Sequence, residues 1–311
     1  MRTDNKQMTL DAAISRYVKD GSSVAIGMAL EASIPFAAGH EIIRQKRHDL
    51  TLIGPISDML FDQMIGAGCV KSVMAAWVGH VGQGGGHAFQ RAVEAAVPRA
   101  IEMRDHSNFT LTLALTAGSL GVPFIPTQST LGSELSSTNV DLIERINPLN
   151  ELGEPLQLVR ALHPDVAIIH VQRAAVDGAA HLWGPLGLAK EAALAARDVI
   201  LTAEEIVPAD SLYTDPNRIF IPPFRVSAVV EVAGGAHPAP VAGYYERDHS
   251  FAEDYAKSTR DVAGMEAWLR LWVFGMPSHA DYREEVGEER WGALRTAASV
   301  GAAPIYEGGH A

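Results

Sequence analysis

The feature that most constrains the fold of this chain is an alternation between short apolar runs and segments with helical periodicity. The apolar run SSVAIGMAL (residues 22–30) precedes SIPFAAGHEIIRQ (33–45), whose apolar residues recur at helical spacing. The pair returns as LTLIGP (50–55) and SDMLFDQMIGAG (57–68), and a third run, VKSVMAAWVG (70–79), follows. Continuous apolar runs of this length are typical of strands covered on both faces. Their alternation with helices predicts an α/β fold, an open and mostly parallel sheet with helices on both faces.

The second half of the chain continues this pattern less regularly. The predicted elements are a helix in LTLALTAGSLGVPFIP (111–126) closed by Gly121 and Pro123, buried strands in PDVAIIHVQ (164–172) and RVSAVVEVA (225–233), and a turn at Asp177 and Gly178. From about residue 251 to residue 297 the pattern turns helical. Because the sequence has no internal repeat, low-complexity linker or break in composition, we expect one domain over residues 1–311, with residues 251–297 as a helical C-terminal layer.

Charge and composition exclude several classes of partner. The formal net charge is −12, whereas a general affinity for nucleic acid or an anionic membrane requires Lys and Arg to neutralise phosphates. No apolar run approaches the roughly 20 residues that span a bilayer, and the charged N-terminus lacks the apolar stretch of a signal peptide. Cys69 is the single cysteine, which fits a reducing compartment. We therefore expect a soluble cytoplasmic protein that binds neither nucleic acid nor membranes.

The stretch WVGHVGQGGGHAFQRAVEAAV (77–97) predicts a strand, a glycine-rich loop (residues 79–86) and a helix. The loop fails the dinucleotide fingerprint GxGxxG, because His87 stands where the third glycine lets helix and strand pack closely. The triphosphate motif, GxxxxGK followed by Ser or Thr, is absent from the sequence. The remaining interpretations are backbone that approaches a ligand at the carboxyl end of a parallel strand, or a mobile surface loop. Gln83, Gly84 and Gly85 are its candidate substrate contacts.

Other candidate residues lie in predicted loops or at the ends of predicted elements. His237 lies in the loop GGAHPAP, and loops often carry functional residues. Ser133, which follows Gly132 in TLGSELSS, has a hydroxyl and a backbone N–H that suit an oxyanion. Glu102 in RAIEMRDHS is either a buried carboxylate or a helix-end acid. No HExxH, paired His and Cys spacing or GxSxG occurs, so the sequence gives no basis for metal hydrolysis or serine-esterase chemistry.

Six segments, taken in order, resemble a known family. They are MTLDAAISRYVKDGSSVAIG, HDLTLIGP, GCVKSVMAAWVG, AGSLGVPFIPTQSTLGSEL, PDVAIIHVQRAAVDGAAHLWG and GGAHPAPVAGYYERDHSF. The chain resembles the alpha subunit of two-subunit class I coenzyme A (CoA) transferases, and most closely the alpha subunit of the glutaconate CoA-transferases. The resemblance runs from about Met8 to Leu294, which is nearly the whole chain.

This resemblance implies an enzyme that works with a second subunit. Members are hetero-oligomers of alpha and beta subunits that move CoA from an acyl-CoA to a free carboxylate, without a metal. We therefore expect this chain to pair with a beta subunit, in an α2β2 or larger assembly. In this family the thioester is attacked by a glutamate of the beta subunit. None of Glu151, Glu285 and Glu307 is followed by the further glycine that the glutamate's motif needs. This chain would then supply one wall of the acyl pocket, through the glycine-rich loop, and oxyanion donors.

Two other functions compete with CoA transfer. Two-subunit hydrolases of steroid-ring degradation also resemble this chain, including an acid at the position of Glu102, which would then be the general acid or base. Transfer is favoured because GAHPAPVAGYYERD looks closer to the glutaconate type. The third interpretation is a non-catalytic ligand-sensing α/β domain. A reading frame for a beta-like subunit next to this one would favour the enzyme over the sensor.

Overall fold

One large β-sheet forms the centre of the computed structural model, which describes residues 5–149 and 153–296. The strands in this part of the chain are β1 (Ser23–Ile26), β2 (Leu50–Ile53), β3 (Val70–Ala75), β4 (Gly79–His80), β5 (Gly84–Gly85), β6 (Glu102–Asp105), β7 (Phe124–Thr127), β8 (Leu142–Ile146), β9 (Pro155–Arg160), β10 (Val166–Ala174), β11 (Ala180–His181), β12 (Asp198–Ile206) and β13 (Ala228–Glu231). The large sheet has the order β13-β12-β10-β1-β2-β3-β6, and β11 pairs with β10.

The neighbouring strands of this sheet are parallel, except β10 with β11. The mostly parallel sheet is thus confirmed. The predicted turn before β11 is also present, since Gly178 has φ +98° and the N–H of Ala179 donates to Asp177 Oδ1 at 2.9 Å. The chain runs outward from β1 to β6 and then returns to β10 on the other side of β1. Ligands of open α/β sheets bind beyond the carboxyl ends of the strands, near such a reversal of strand order.

Helices cover both faces of the sheet. They are α1 (Leu10–Tyr17), α2 (Phe36–Arg44), α3 (Asp58–Gly66), α4 (His87–Ala95), α5 (Asn108–Leu120), α6 (Leu135–Thr138), α7 (Ala189–Ala195), α8 (Ala209–Tyr213), α9 (His249–Ser258), α10 (Val262–Leu269), α11 (His279–Val286) and α12 (Glu288–Leu294). One apolar core contains α1–α4 and α9–α12, and another contains α5 and α7. Within β1, Val24 and Ile26 belong to the first core and Ala25 to the second, because successive side chains of a strand point to opposite faces. Burial on both faces explains the continuous apolar runs.

A second sheet, with antiparallel strands in the order β7-β9-β8, lies beside α5. Ala114 of α5 packs there against Leu142 and Val159. The helix itself confirms its prediction: Ser107 caps its start, and Gly121, at φ +69°, ends it. The sequence predicts only a short extended piece after this helix. Strands β8 and β9 are short segments in which charged and apolar residues mix, so the pattern of a buried strand is missing.

The helical C-terminal layer is confirmed, and its last described helix ends at Leu294. Its helices are α9 to α12, with one π-helical turn between α10 and α11. The rings of Phe251 and Tyr255 in α9 each lie 5.1 Å from the ring of Trp268 in α10, measured between centroids. Residue 297, the predicted end of the layer, lies outside the described residues. None of the helices in residues 5–149 and 153–296 has the length and apolar character to cross a membrane.

Candidate functional site

The glycine-rich loop follows the carboxyl end of β3 and forms a small hairpin. Strands β4 and β5 pair antiparallel within it, and Gly84 adopts a left-handed conformation with φ +101°. Gln83, Gly84 and Gly85 are exposed, and a Cβ atom built on either glycine meets no atom within 4 Å. The three predicted contact residues are therefore open to a ligand. That they touch the substrate stays a prediction.

Two buried carboxylates of α3 hold this loop and the start of α4 in place by accepting backbone hydrogen bonds. Asp58 and Asp62 are four residues apart, on one face of the helix, and both are fully buried. Oδ1 of Asp58 accepts the N–H of Val81 at 2.8 Å, and Oδ1 of Asp62 accepts the N–H of Phe89 at 2.8 Å. Phe89 lies in the first turn of α4, so a carboxylate of the protein itself already binds this helix N-terminus. The N–H of Phe89 is therefore already bonded and is not available to a phosphate.

Gly86, the last glycine of the loop, allows Asp62 to come close because it has no side chain. A Cβ atom at Gly86 would lie 2.6 Å from Oδ1 of Asp62, closer than such atoms approach in proteins. Oδ2 of Asp62 also accepts a hydrogen bond from Nε2 of His80 at 3.1 Å and one from the hydroxyl of Tyr255 at 2.8 Å. Burial acts to raise the pKa of Asp62, but these hydrogen bonds outweigh it and hold that pKa below its usual value. Asp62 is thus an ionised link between the loop and α9.

Arg247 completes the support of the loop. Its buried guanidinium pairs with Oδ2 of Asp58 and lies 3.4 Å from the carbonyl oxygen of Val81, to which it donates. Residue 81 is therefore held at its N–H by Asp58 and at its carbonyl by Arg247. Removing one member of a buried ion pair leaves an uncompensated charge, which makes this contact costly to break.

A pocket of about 360 Å³ lies beside the loop, between α4 and β6. We call it the loop pocket. The apolar residues Trp77, Phe89, Val93 and Met103 line it, together with Gly85. Trp77 is 38% exposed and Val93 is 51% exposed, so the wall is accessible. The pocket lies at the carboxyl edge of the sheet, where open α/β sheets bind ligands.

Glu102 does not line the loop pocket. It is the first residue of β6 and precedes Met103 of the pocket wall, but because successive side chains of a strand point to opposite faces, it points away from the face of Met103 and Asp105. The Glu102 side chain is 54% exposed and its carboxylate accepts a hydrogen bond from Nε of Arg104 at 2.8 Å. It is thus neither a buried carboxylate nor a helix-end acid. Its role as acid or base stays a prediction.

His237 lies in a second glycine-containing loop, residues 232–238, after β13. The histidine is buried, its Nε2 donates to Oδ2 of Asp248 at 3.0 Å, and its Nδ1 accepts from the hydroxyl of Tyr282 at 2.7 Å. Burial lowers the pKa of His237. Arg290 donates from Nη2 to the other oxygen of Asp248 at 2.9 Å. Both ring nitrogens are engaged, so the predicted substrate contact of His237 has no free nitrogen in this arrangement.

Gly132 and Ser133 lie in an exposed turn before α6. Gly132 has φ +77°. The hydroxyl of Ser133 donates to the carbonyl of Thr130 at 2.7 Å, and its N–H donates to the same carbonyl at 3.1 Å. An oxyanion would have to compete with this carbonyl for both donors. Oxyanion binding at Ser133 therefore stays a prediction without a free donor to support it.

A buried cluster surrounds His170, whose partner Glu204 was not singled out from the sequence. His170 lies in the middle of β10, and its Nε2 donates to Oε1 of Glu204 at 2.7 Å. Glu204 also accepts from the hydroxyl of Tyr245 at 2.8 Å and from the N–H of Gly234 at 2.7 Å. The cluster fixes the second loop to the sheet. In residues 5–149 and 153–296, no group of three or more His, Cys, Asp or Glu side chains is placed to hold a metal ion.

Comparison with known proteins gives consistent matches over nearly the whole chain. Residues 7–232 match the family model described as Coenzyme A transferase. The chain is 39% identical to the A subunit of 3-oxoadipate CoA-transferase from Pseudomonas knackmussii, over 90% of this chain and 98% of the relative. It is 32% identical to the A subunit of glutaconate CoA-transferase from Acidaminococcus fermentans, over 96% and 97% of the two chains.

A solved structure and a relative with a different reaction complete the comparison. The crystal structure of glutaconate CoA-transferase from Acidaminococcus fermentans superposes with a TM-score of 0.89 at 31% identity, covering 94% of this chain and 96% of the other. The chain is also 27% identical to the IpdA subunit of the cholesterol ring-cleaving hydrolase of Mycobacterium tuberculosis, over 94% of this chain and 99% of that one.

Proposed function

The chain belongs to the coenzyme A transferase family, and on that premise we propose that it is the alpha subunit of a hetero-oligomeric enzyme that moves CoA between an acyl-CoA and a carboxylic acid. The observation that carries this proposal is the 39% identity to the 3-oxoadipate CoA-transferase chain across 98% of that chain's length. The partner is a beta subunit, in an α2β2 or larger assembly. The same match to enzyme subunits weighs against a non-catalytic sensing domain.

The chemistry requires a carboxylate nucleophile that we assign to the beta subunit. A glutamate oxygen bonds to the acyl carbon of the thioester, the C–S bond breaks, and CoA leaves as a thiolate. The thiolate attacks the glutamyl carbonyl of the resulting anhydride, releases the donor carboxylate and forms a glutamyl-CoA thioester. The acceptor carboxylate then attacks this thioester and displaces the thiolate, which leaves an anhydride of the acceptor and the glutamate. The thiolate attacks the acceptor carbonyl of this anhydride, which forms the product acyl-CoA and releases the glutamate carboxylate. Of the acids weighed as nucleophiles in this chain, Glu285 lies exposed on α11, and Glu151 and Glu307 lie outside the described residues.

The alpha chain contributes the acyl side of the site. The loop pocket supports this role, because it is apolar, open and next to a loop that internal carboxylates hold in place. A rigid wall positions the acyl group for attack, and positioning accounts for a large part of enzymatic rate enhancement. The glycine-rich loop admits the acyl group or the pantetheine arm of CoA and does not cradle a phosphate.

Co-expression with the neighbouring beta-like subunit tests the proposal. The complex is incubated with several acyl-CoAs and acetate, and CoA transfer is measured beside thioester hydrolysis. We expect transfer by the complex, no transfer by this chain alone, and a glutamyl-CoA adduct on the partner that borohydride traps. The Glu285→Gln variant is expected to keep transfer and the adduct. Loss of both in this variant would move the nucleophile into the alpha chain.

Ring hydrolysis remains as a second candidate because of the full-length match to the IpdA subunit. In that case Glu102 would act as acid or base, and Glu102→Gln would reduce ring opening by roughly 10² to 10⁴. Ring opening without a trapped adduct, together with this loss, would establish hydrolysis in place of transfer. The Glu266→Gln variant, which removes an exposed carboxylate from α10, is the matched control.

A further inference from the structure

We propose that Arg247 is a specificity-determining residue, which binds a carboxylate at the far end of the acyl group. This inference rests on the proposed function, because it concerns the acyl group that a CoA-transferase would hold beside the glycine-rich loop. It follows from the hydrogen bonds that the buried guanidinium makes and from the donors that it leaves without an acceptor.

Arg247 is only partly engaged by the protein itself. Its side chain is 10% exposed, and its Nη2 pairs with Oδ2 of Asp58 and donates to the carbonyl oxygen of Val81 at 3.4 Å. Nε and Nη1 are buried, and no acceptor within residues 5–149 and 153–296 bonds to either of them. Burial of an N–H group without an acceptor is unfavourable, and more so when the group is charged. Two nitrogens of this guanidinium are therefore available to a ligand.

The other arginines that the structure describes do not share this arrangement. Arg290, which supports the second loop, directs Nε and Nη2 to the two oxygens of Asp248. Three more have one buried nitrogen each without an acceptor: Arg47, Arg225 and Arg283. Arg247 has two. Its contacts with Asp58 and Val81 use Nη2 alone, so support of the loop does not account for Nε and Nη1.

The position of Arg247 suits substrate recognition. Its partner Asp58 is the first residue of α3, which follows β2, and its partner Val81 lies in the glycine-rich loop, which follows β3. The guanidinium therefore lies at the carboxyl ends of two parallel strands. Open α/β sheets bind their ligands at this edge.

The tip of the glycine-rich loop, residues 82–85, has room to move. A Cβ atom built on Gly82, Gly84 or Gly85 would meet no atom within 4 Å, and all four residues of the tip are exposed. Val81, in contrast, is held at its N–H by Asp58 and at its carbonyl by Arg247. A shift of the tip, with residue 81 in place, brings a ligand group to the buried nitrogens.

A carboxylate is the ligand group that fits these donors. Arginine holds its N–H groups in a rigid plane and forms short, charge-assisted hydrogen bonds with carboxylates. The acids beneath the loop do not compete for the free donors. Asp58 already accepts from Val81 through Oδ1 and from Arg247 Nη2 through Oδ2, and Asp62 is engaged by three donors of its own.

The charge of Asp58 limits the expected preference. A carboxylate bonded to Arg247 is attracted at hydrogen-bond distance, whereas Asp58, on the other side of the guanidinium, repels it from further away. Because the Coulomb energy falls with distance, the attraction exceeds the repulsion. We therefore expect a moderate preference for an acyl group with a distal carboxylate.

Two CoA thioethers test the inference, because they bind without reacting. S-hexyl-CoA and S-(5-carboxypentyl)-CoA have the same chain length, and neither has the thioester carbonyl that a nucleophile attacks. Their dissociation constants are measured by calorimetry on the complex with the beta subunit. We expect the carboxylate analogue to bind about tenfold more tightly than S-hexyl-CoA, because it alone accepts hydrogen bonds from the charged guanidinium.

Arg247→Lys separates recognition of the carboxylate from support of the loop. Lysine keeps a positive charge beside Asp58 but has no second nitrogen for a ligand. We expect the two dissociation constants to become about equal, while that of S-hexyl-CoA changes by less than about threefold. Arg290→Lys alters the arginine–aspartate pair of the second loop. It is the matched control and is expected to keep the tenfold preference.

A double variant gives a second measurement that does not depend on the lysine. Arg247→Met together with Asp58→Asn removes both buried charges, so that neither is left uncompensated. This variant is also expected to bind the two analogues about equally. Circular dichroism of each complex establishes that it is folded.

Three results would overturn the inference. They are equal binding of the two analogues by the unchanged protein, a preference that persists in Arg247→Lys, and an equal loss of affinity for both analogues in that variant. The last result would assign Arg247 to the CoA moiety, which the two analogues share.

The outcome is separate from that of the proposed function, because the thioethers do not turn over. A preference that depends on Arg247, without any CoA transfer by the complex, would refute the transferase and keep the carboxylate site. CoA transfer by a complex that binds both analogues equally would support the transferase and refute the carboxylate site.

Discussion

Two glycine-containing loops in this molecule each follow a strand of the large sheet, but one is exposed and the other is covered. The glycine-rich loop follows β3, the second loop follows β13, and each is tied to a buried histidine and aspartate: His80 with Asp62, and His237 with Asp248. The first loop leaves its glycines exposed beside a pocket. The second is covered, with Trp291 4.9 Å from the His237 ring between centroids. What covers a loop, more than its composition, decides whether it can bind a ligand.

The strongest test of this contrast removes the aspartate from each loop. Asp62→Ala leaves His80, the N–H of Phe89 and the hydroxyl of Tyr255 without their acceptor, so we expect a loss of about 3–5 kcal/mol in the free energy of unfolding. Asp248→Ala strips the partner from His237 and Arg290 and is expected to cost a similar amount. Urea titration measures both.

The two variants should differ in ligand binding. We expect Asp62→Ala to weaken acyl-CoA binding by the folded complex and Asp248→Ala to leave it unchanged, because only the first loop borders the pocket. Equal loss of binding in both variants would contradict the assignment of different roles to the loops.

Arg247, which supports the first loop through Asp58 and Val81, provides a further test. Arg247→Met leaves Asp58 buried without its counter-charge, and we expect about 3 kcal/mol of destabilisation. Because Val81 also loses its carbonyl partner, the KM for acyl-CoA should rise more than kcat falls. Adding Asp58→Asn should restore part of the stability, and an additive result would show that the pair is not coupled.

The pH dependence of the free energy of unfolding tests two histidines that are buried near the covered second loop. Burial lowers the pKa of His279, beside the second loop, to about 4, and that of His40 to about 3. Both are neutral in the folded state, while the unfolded chain takes up protons below its pKa of about 6.5. The free energy of unfolding is therefore highest above about pH 6.5. It decreases as the pH falls towards 4, by about 2 kcal/mol per histidine at pH 5.

The measurement compares urea midpoints at pH 7 and pH 5. His279→Gln is expected to lose about 2 kcal/mol less than the unchanged protein over this interval. His48→Gln, at an exposed histidine, should behave like the unchanged protein. An identical loss in all three proteins would mean that His279 is protonated when folded.

The smallest expected effect separates two neighbouring glycines. Gly86→Ala forces a methyl group against Oδ1 of Asp62, and we expect a loss of about 1–3 kcal/mol. Gly85→Ala enters open space and should change the free energy of unfolding by less than about 0.5 kcal/mol. Equal effects would show that Asp62 moves aside freely.

The sequence predicts the frame of this molecule better than its contacts. β1, β2, β3 and β10 could be located because burial on both faces leaves long apolar runs, and the position of the glycine-rich loop followed from them. Its supports could not be predicted, since Tyr255 and Asp62 are 193 residues apart. The pair of acids four residues apart in SDMLFDQM was the available signal: charged residues on the apolar face of a helix require partners.

At His237 the local sequence pattern suggested an exposed residue, whereas the side chain is buried. A loop rich in Gly and Pro usually lies at the surface, which made this histidine a candidate contact. Burial by helices that follow it in the chain is a property of the folded protein as a whole, and no local pattern reports it.

Because the contacts that support the glycine-rich loop are long-range, they can form only late in the synthesis of the protein. Residues 79–86 leave the ribosome early, yet the partners of Asp58 and Asp62 include Arg247 and Tyr255, which are synthesised 189 and 193 residues after them. A nascent chain that stops before residue 247 holds the loop with only part of its support. Premature termination therefore yields a chain whose glycine-rich loop is only partly supported, even where most of the parallel sheet has already been translated.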